Sequence, residues 1–498
     1  MRRAKNTGGA VSETKPPAGR LARAKSPSYV RATGEPEARA SRFTARWMLV
    51  SDLAYVMSAA ELGYTPPASA GTLIASLLQL LDELPKLDLS NPAGDIVAQR
   101  EAWMAERAGR EHTAWLHLGR NRGESLRNYL PRMFFRQRLH EQGRQLAALL
   151  GNLVRRAEPV LEALSPNYHH LQHSGFTTLG EYLLSWAVVF ERHVERIEQV
   201  DRRLDKAPSP FGGRAELARL YDRVTERLGF SRRAQLRRDG IWIHDQFTEP
   251  FFVLSLIAVD LARLAQDFRI WMTPEFALIE LADEHAGGSS ALPHAKVPFA
   301  LQSVIGGAVM ASTRLAGEMA ASCNPSEGSE PLYQSASLYG LAEDIGGWTW
   351  YMADVVDKVH FNLEEMRRKA VLDYAGSSEA HDRLVYDFGV PFRTGHQVLG
   401  ALVRNHFSGE PPLDLRELLK RETGRDIEVD QQEIMDIILG KRLWPTTFDL
   451  PMLRETAASY REKSIAAAEK FAGPSAVERA AERVLAEARV WPEKATKA

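Results

Sequence analysis

Three short polar stretches hold the residues with chemical potential. The first, His117-Leu-Gly-Arg120-Asn121-Arg122-Gly123-Glu124-Ser125, sets two arginines around an asparagine. The second, Pro166-Asn-Tyr168-His169-His170-Leu-Gln172-His173, gathers imidazoles, whose near-neutral pKa suits proton handling. The third, Gly287-Gly288-Ser289-Ser290-Ala-Leu-Pro-His294-Ala295-Lys296-Val297-Pro298, is a serine-bearing segment that buries little apolar area yet lies between apolar helical runs. Each has a plain structural alternative: a solvated helix cap, a structural histidine pair, a flexible linker. His169 and His173 have the i, i+4 spacing of a zinc pair, but no H-E-x-x-H glutamate accompanies them and the segment precedes a helix. No metal is expected.

The elements that must position these stretches are helical. Between Thr177 and Leu204, apolar residues such as Leu179, Leu183, Trp186, Phe190, Val194 and Ile197 recur at three- and four-residue steps. That pattern predicts one apolar face on a helix roughly 42 Å long at 1.5 Å per residue. Residues 249–271 are apolar on most sides, as in an enclosed helix. Further helices are expected over 124–163, with Pro131 kinking it, and over 298–321 and 335–370. Five long helices in the middle of the chain predict a five-helix bundle within an all-α fold. Strand signals are scarce, and no G-x-G-x-x-G or P-loop is present.

Residues 1–42 carry Arg, Lys, Ala, Pro and Gly and read as a disordered basic tail, with a transit peptide as the rival. An N-terminal helical domain over 43–114, the bundle over 115–370 and a C-terminal helical domain over 371–498 complete the expected division. Charge is balanced, 63 Lys+Arg against 64 Asp+Glu, so no field is available to hold nucleic acid or an anionic membrane. The most apolar run, Pro250–Asp260, is about half the length a bilayer needs. One cysteine, Cys323, cannot form an internal disulfide, which fits a reducing cytoplasm. A small molecule or another copy of the chain is the expected partner.

In order and spacing, the three stretches resemble the three signature regions of the fumarase/aspartase superfamily, most closely the argininosuccinate lyase family. The family's H-T-G-R-S-R-N-D falls on His117–Glu124, its G-Y-T-H-L-Q on Asn167–Gln172, and its G-S-S-x-M-P-x-K-x-N-P on Gly288–Pro298. Trp271-Met-Thr-Pro-Glu-Phe276, Ser209-Pro-Phe-Gly212 and Gly389-Val-Pro-Phe-Arg-Thr-Gly-His396 resemble three further family segments. The resemblance implies a three-domain fold whose long bundles form a twenty-helix core in a homotetramer, with active sites shared between subunits and no cofactor. It implies elimination of an amine or water from a succinyl group to release fumarate.

The resemblance also implies the roles. Ser289 would be the base, serving only if loop closure surrounds its oxygen with N–H groups or cations. Arg122 would hold a substrate carboxylate, with Asn121 and Arg120 beside it. His170 would sit on the acid side, next to His169, which stands in place of the family's threonine; Gln172 would contact substrate, as would Ser290. The pattern is broken at Ala295 and Val297, where the family has a lysine and an asparagine that stabilise the charged intermediate. His294 or Lys296 would have to substitute. The segment Y-N-x-D-L-Q-E-D-K has its best counterpart at Ala321–Ser329, without the tyrosine, glutamine or lysine. The expected activity is a carbon–nitrogen lyase on argininosuccinate or another N-substituted aspartate. The alternative is a weak or inactive lyase scaffold with a binding or structural role.

Overall fold

The computed structural model describes residues 25–89, 96–120, 122, 125–209, 217–236, 239, 244–323, 330–443 and 448–491. Helices of eight or more residues are numbered here. The chain opens with α1 (Glu35–Glu61), α2 (Pro67–Glu83) and α3 (Ile96–Ala108). Next come α4 (Leu130–Ala157), a hairpin of β1 (Leu164–His169) and β2 (Gln172–Thr178), α5 (Leu179–Leu204), α6 (Ala218–Arg227) and α7 (Asp245–Trp271). Two-residue strands β3 (Ile279–Glu280), β4 (Gly287–Gly288) and β5 (Lys296–Val297) lead to α8 (Phe299–Ala321) and α9 (Glu330–Lys358). Strand β6 (His360–Phe361) pairs with β3 and precedes α10 (Leu363–Ala370). The rest is α11 (Ser377–Tyr386), α12 (Phe392–Ser408), α13 (Leu415–Thr423), α14 (Gln431–Ile438), α15 (Leu450–Lys470) and α16 (Ala476–Arg489).

The five long helices expected from periodicity are α4, α5, α7, α8 and α9. Thr178 caps α5, its hydroxyl accepting from the Glu181 amide at 3.1 Å. The apolar stripe beyond the cap is then buried, with Leu183, Phe190 and Ile197 fully enclosed. Each such side chain contributes about 1.5–3 kcal/mol of burial. Helix α4 packs on α5 and α9, and α7 packs on α8. The approach of α8 to α9 requires Gly307, where a Cβ would lie 1.9 Å from the Trp348 ring.

Several expectations change in detail. Pro131 stands in the first turn of α4, directly after a π-helical turn at Ser125–Tyr129, so the winding of the expected helix changes just ahead of the proline. The helix expected over 335–370 breaks at β6 and restarts behind the Asn362 cap. The tail expected to reach residue 42 gives way earlier: α1 begins at Glu35, and Ala38 and Ser41 are buried; residues 1–24 lie outside the described residues. Residues 374–438 pack around their own cluster, including Leu384, Leu399, Leu419 and Ile437. The chain then returns, and α15 and α16 bury Leu453, Val477 and Val484 in the main core.

One buried group in α8 has no hydrogen-bond partner among the described residues. Glu318 is 1% exposed, and among the described residues nothing donates to either carboxylate oxygen. Burial pushes its pKa up from 4.5 to about 7. A raised carboxyl pKa favours the folded state while the group is protonated; that stability is lost as pH rises from the unfolded value to the folded one. Glu318→Met is therefore expected to gain on the parent protein by up to about 3 kcal/mol at pH 8 and by little at pH 4.5. Denaturant melts at the two pH values check this.

Candidate active site

The second polar stretch is a β-hairpin, where loop was expected. Leu164 pairs with Thr178 and His169 with Gln172, with a register shift between Pro166 and Tyr168. Its two-residue turn is His170-Leu171, both left-handed, at φ 55° and 59°. That geometry matches the twist of a hairpin but usually calls for Asn-Gly. Non-glycine residues there cost about 1–2 kcal/mol each. The turn presents His169, His170 and Gln172 together at an exposed tip, with the two imidazole rings 4.3 Å apart and edge-on. His173 pairs with Tyr168 in the ladder, so it faces away from His169. The zinc-pair spacing therefore does not make a zinc pair. Burial lowers the His173 pKa, against the opposing pull of Asp373 at 3.6 Å.

The third stretch is also a hairpin. Gly287 pairs with Val297 and Gly288 with Lys296, and the residues between them form its loop. Inside that loop the Ser289 hydroxyl oxygen accepts from two backbone amides, Ala291 at 3.3 Å and Leu292 at 3.1 Å. Donors placed this way stabilise an oxygen that carries negative charge. Ser290 and His294 are exposed. Lys296 does not reach into the loop: its ammonium is held by Asp283 at 2.8 Å and Glu280 at 3.0 Å. These partners raise its pKa, with Asp283 the largest cause. No other ammonium or guanidinium lies between Gly287 and Pro298 to fill the gap at Ala295 and Val297.

In the first stretch the arginines part company. Arg120 is buried: its guanidinium bonds Asp52 at 2.6 Å and Ser125 at 3.3 Å and stacks over Tyr55. Arg100 contacts the other Asp52 oxygen at 3.0 Å. Arg120 is thus anchored in a buried ion cluster, whereas it was expected beside Arg122. Periodicity could not separate it from Arg122; the signal was Asp52, a lone acid in an apolar run, which needed a cation. Arg122 is exposed. Asn121, Gly123 and Glu124 lie outside the described residues, as do Pro210–Gly212 and 324–329.

The bundle places these stretches at two ends. Arg122 precedes α4, a helix of 28 residues, and the His170 hairpin follows it. That separates them by roughly 42 Å at 1.5 Å per residue. The serine loop lies at the hairpin's end: Tyr182 at the start of α5 packs on Trp271 at the end of α7, 4.5 Å between rings, and Tyr168 packs on Phe276. Among the described residues, Ser289 hydrogen-bonds only within its own loop, and the ring that His170 meets is that of His169. One chain alone does not bring Ser289, Arg122 and His170 together.

A model of the lyase family matches residues 35–312. Argininosuccinate lyase of Methanoculleus marisnigri is 28% identical over 385 residues, 74% of this chain and 75% of that protein. Argininosuccinate lyase of Methanocorpusculum labreanum is 26% identical over 408 residues, 80% of each. Among solved structures, EDDS lyase in complex with formate superposes with a TM-score of 0.76 at 23% identity, covering 91% of this chain and 93% of that one. The 3-carboxy-cis,cis-muconate lactonizing enzyme from Pseudomonas putida gives 0.65 at 18% identity, covering 86% and 95%. At these identities the two structures establish a shared fold.

Proposed function

Because the chain belongs to the lyase family, matched over residues 35–312, we propose that it is a carbon–nitrogen lyase acting on an N-substituted aspartate, argininosuccinate or a relative of it. The carrying observation is the pair of amides on the Ser289 oxygen. An alkoxide so stabilised takes the proton from the carbon next to the substrate's β-carboxylate. The freed electron pair forms the carbon–carbon double bond as the carbon–nitrogen bond breaks. The nitrogen leaves with a proton delivered from the His170 side, with His169 and Gln172 beside it. Fumarate, or a similar unsaturated acid, and an amine are the products.

Arg122 holds the substrate carboxylate in this reading, with Asn121 adjacent and Ser290 and His294 on the loop. Since Arg122 and Ser289 stand at opposite ends of one bundle, the site takes them from different copies. Exposed apolar side chains along the bundle support such an assembly: Phe252 on α7, Val309, Met310 and Met319 on α8, and Trp350 on α9. A homotetramer with shared sites and no cofactor is the proposed form. No helix among the described residues is long and apolar enough to cross a membrane. A cytoplasmic setting belongs to the same proposal, since the lone exposed thiol of Cys323 stays reduced there.

A second reading, a lyase scaffold with little or no activity, is favoured by Ala295 and Val297 together with the capture of Lys296. One missing donor to a charged intermediate costs on the order of 10²–10³ in rate. Mixing the purified protein with argininosuccinate, then with a panel of N-succinyl amines, and following fumarate absorbance decides between them. Fumarate is expected from at least one substrate. Silence across the panel would favour the scaffold.

A further inference from the structure

The hairpin that carries Ser289 is fastened at its root by residues the elimination itself does not use. Strand β4 begins two residues after His285, the last residue of a single 3-10 turn, Asp283–His285. Helix α9 lies against that turn. Tyr351, Asp354 and Lys358 recur along it at steps of three and four, so they share one face. The Tyr351 hydroxyl donates to the His285 carbonyl at 2.9 Å. The Nε2 of His285 lies 2.7 Å from an Asp354 oxygen. Lys358 bonds the other Asp354 oxygen at 3.1 Å and Glu284 at 2.6 Å.

The second leg of the hairpin returns to the same turn, because Lys296 of β5 is held by Asp283. Of these residues His285 is the buried one, 5% exposed. Its Nδ1 has no hydrogen-bond partner among the described residues, so the ring is oriented by Asp354 and by the edge-on Tyr351 ring, 5.7 Å away between centroids. Burial raises the Tyr351 phenol to about 12, keeping it a donor at neutral pH. The histidine contact is the first cause of the lowered Asp354 pKa. Glu284, His285 and Asp354 stand close enough together to hold a metal ion, but the Lys358 ammonium already supplies the positive charge there.

We propose that His285, gripped by Asp354 and Tyr351, is a positioning residue that sets where the Ser289 hydroxyl stands. The inference rests on the reading of Ser289 as the base. Gly287 and Gly288, between His285 and Ser289, have no side chains to stiffen the strand. Without an anchored His285 the loop pivots at that glycine pair, and displacement of a catalytic atom by about 1 Å costs on the order of 10² in rate.

The test uses the full-length protein and its His285→Ala, His285→Gln and Asp354→Ala variants. Amide hydrogen exchange of the peptide 287–297 is expected to quicken roughly ten- to hundredfold in both alanine variants, as for loss of one charge-assisted hydrogen bond. Exchange in α4 stays as in the parent, and His285→Gln, which keeps a donor, restores part of the protection. With argininosuccinate as probe, kcat falls about 100-fold while KM changes less than about twofold. Unchanged loop exchange, or parent values of kcat and KM, overturns the proposal. If His285→Ala does not fold, His285→Gln and Asp354→Ala decide by the same readings. Full turnover by Ser289→Ala would instead sink the assignment of the base, while the exchange result would still judge the clamp.

Discussion

Replacing Ser289 with alanine is expected to lower kcat by about 10²–10⁴-fold with little change in melting temperature or KM. The size follows from the proposed role: a positioned general base typically contributes that much. The sparing of stability follows from the contacts. Among the described residues, the Ser289 hydroxyl bonds the Ala291 and Leu292 amides of its own loop alone. Losing it removes an oxygen that the transition state needs and the bound substrate does not, which lowers kcat and kcat/KM together. Fumarate release measured beside a thermal melt reads all of this. A melt that collapsed along with the rate would mean the loop had a structural part to play.

The second large effect lies far from that loop. Asp52→Asn is expected to destabilise the protein by about 3–5 kcal/mol, the cost of removing one partner from a buried ion cluster. Asp52 is fully buried between Arg100 and Arg120, both also buried, with contacts of 3.0 and 2.6 Å. Asparagine keeps the shape and removes the charge, leaving two buried guanidinium groups without the carboxylate that lies between them. Their hydration was surrendered on folding and is not regained. Denaturant unfolding gives the number, and a loss under 1 kcal/mol would contradict it. Because Arg120 is two residues from Arg122, the same change is expected to raise KM for the substrate in the protein that stays folded.

How much of this was legible from residue order depended on the kind of signal. The long helices were legible because apolar residues at three- and four-residue steps leave few alternatives over more than twenty positions. Leu183, Phe190 and Ile197 point inward as their spacing requires. The hairpin at His170 was not legible, since its turn uses histidine and leucine where glycine and asparagine announce such geometry. Strands of two residues leave no period to detect. The return of α15 and α16 to the main core was hidden too, because periodicity says that a face is buried and not against what. In the candidate site, motif order pointed to Ser289, Arg122 and His170, but the fates of Arg120 and Lys296 hung on distant acids, Asp52, Glu280 and Asp283. Only three-dimensional neighbours could reveal them.

The separation of Arg122 from Ser289 along α4 has a consequence for regulation by quantity. A single chain carries Arg122 and Ser289 roughly 42 Å apart, too far for any small acid to touch both. In the proposed reaction such a chain is chemically silent, and turnover begins only in company. Under that proposal, scarcity of the polypeptide works as an off switch, with no inhibitor required.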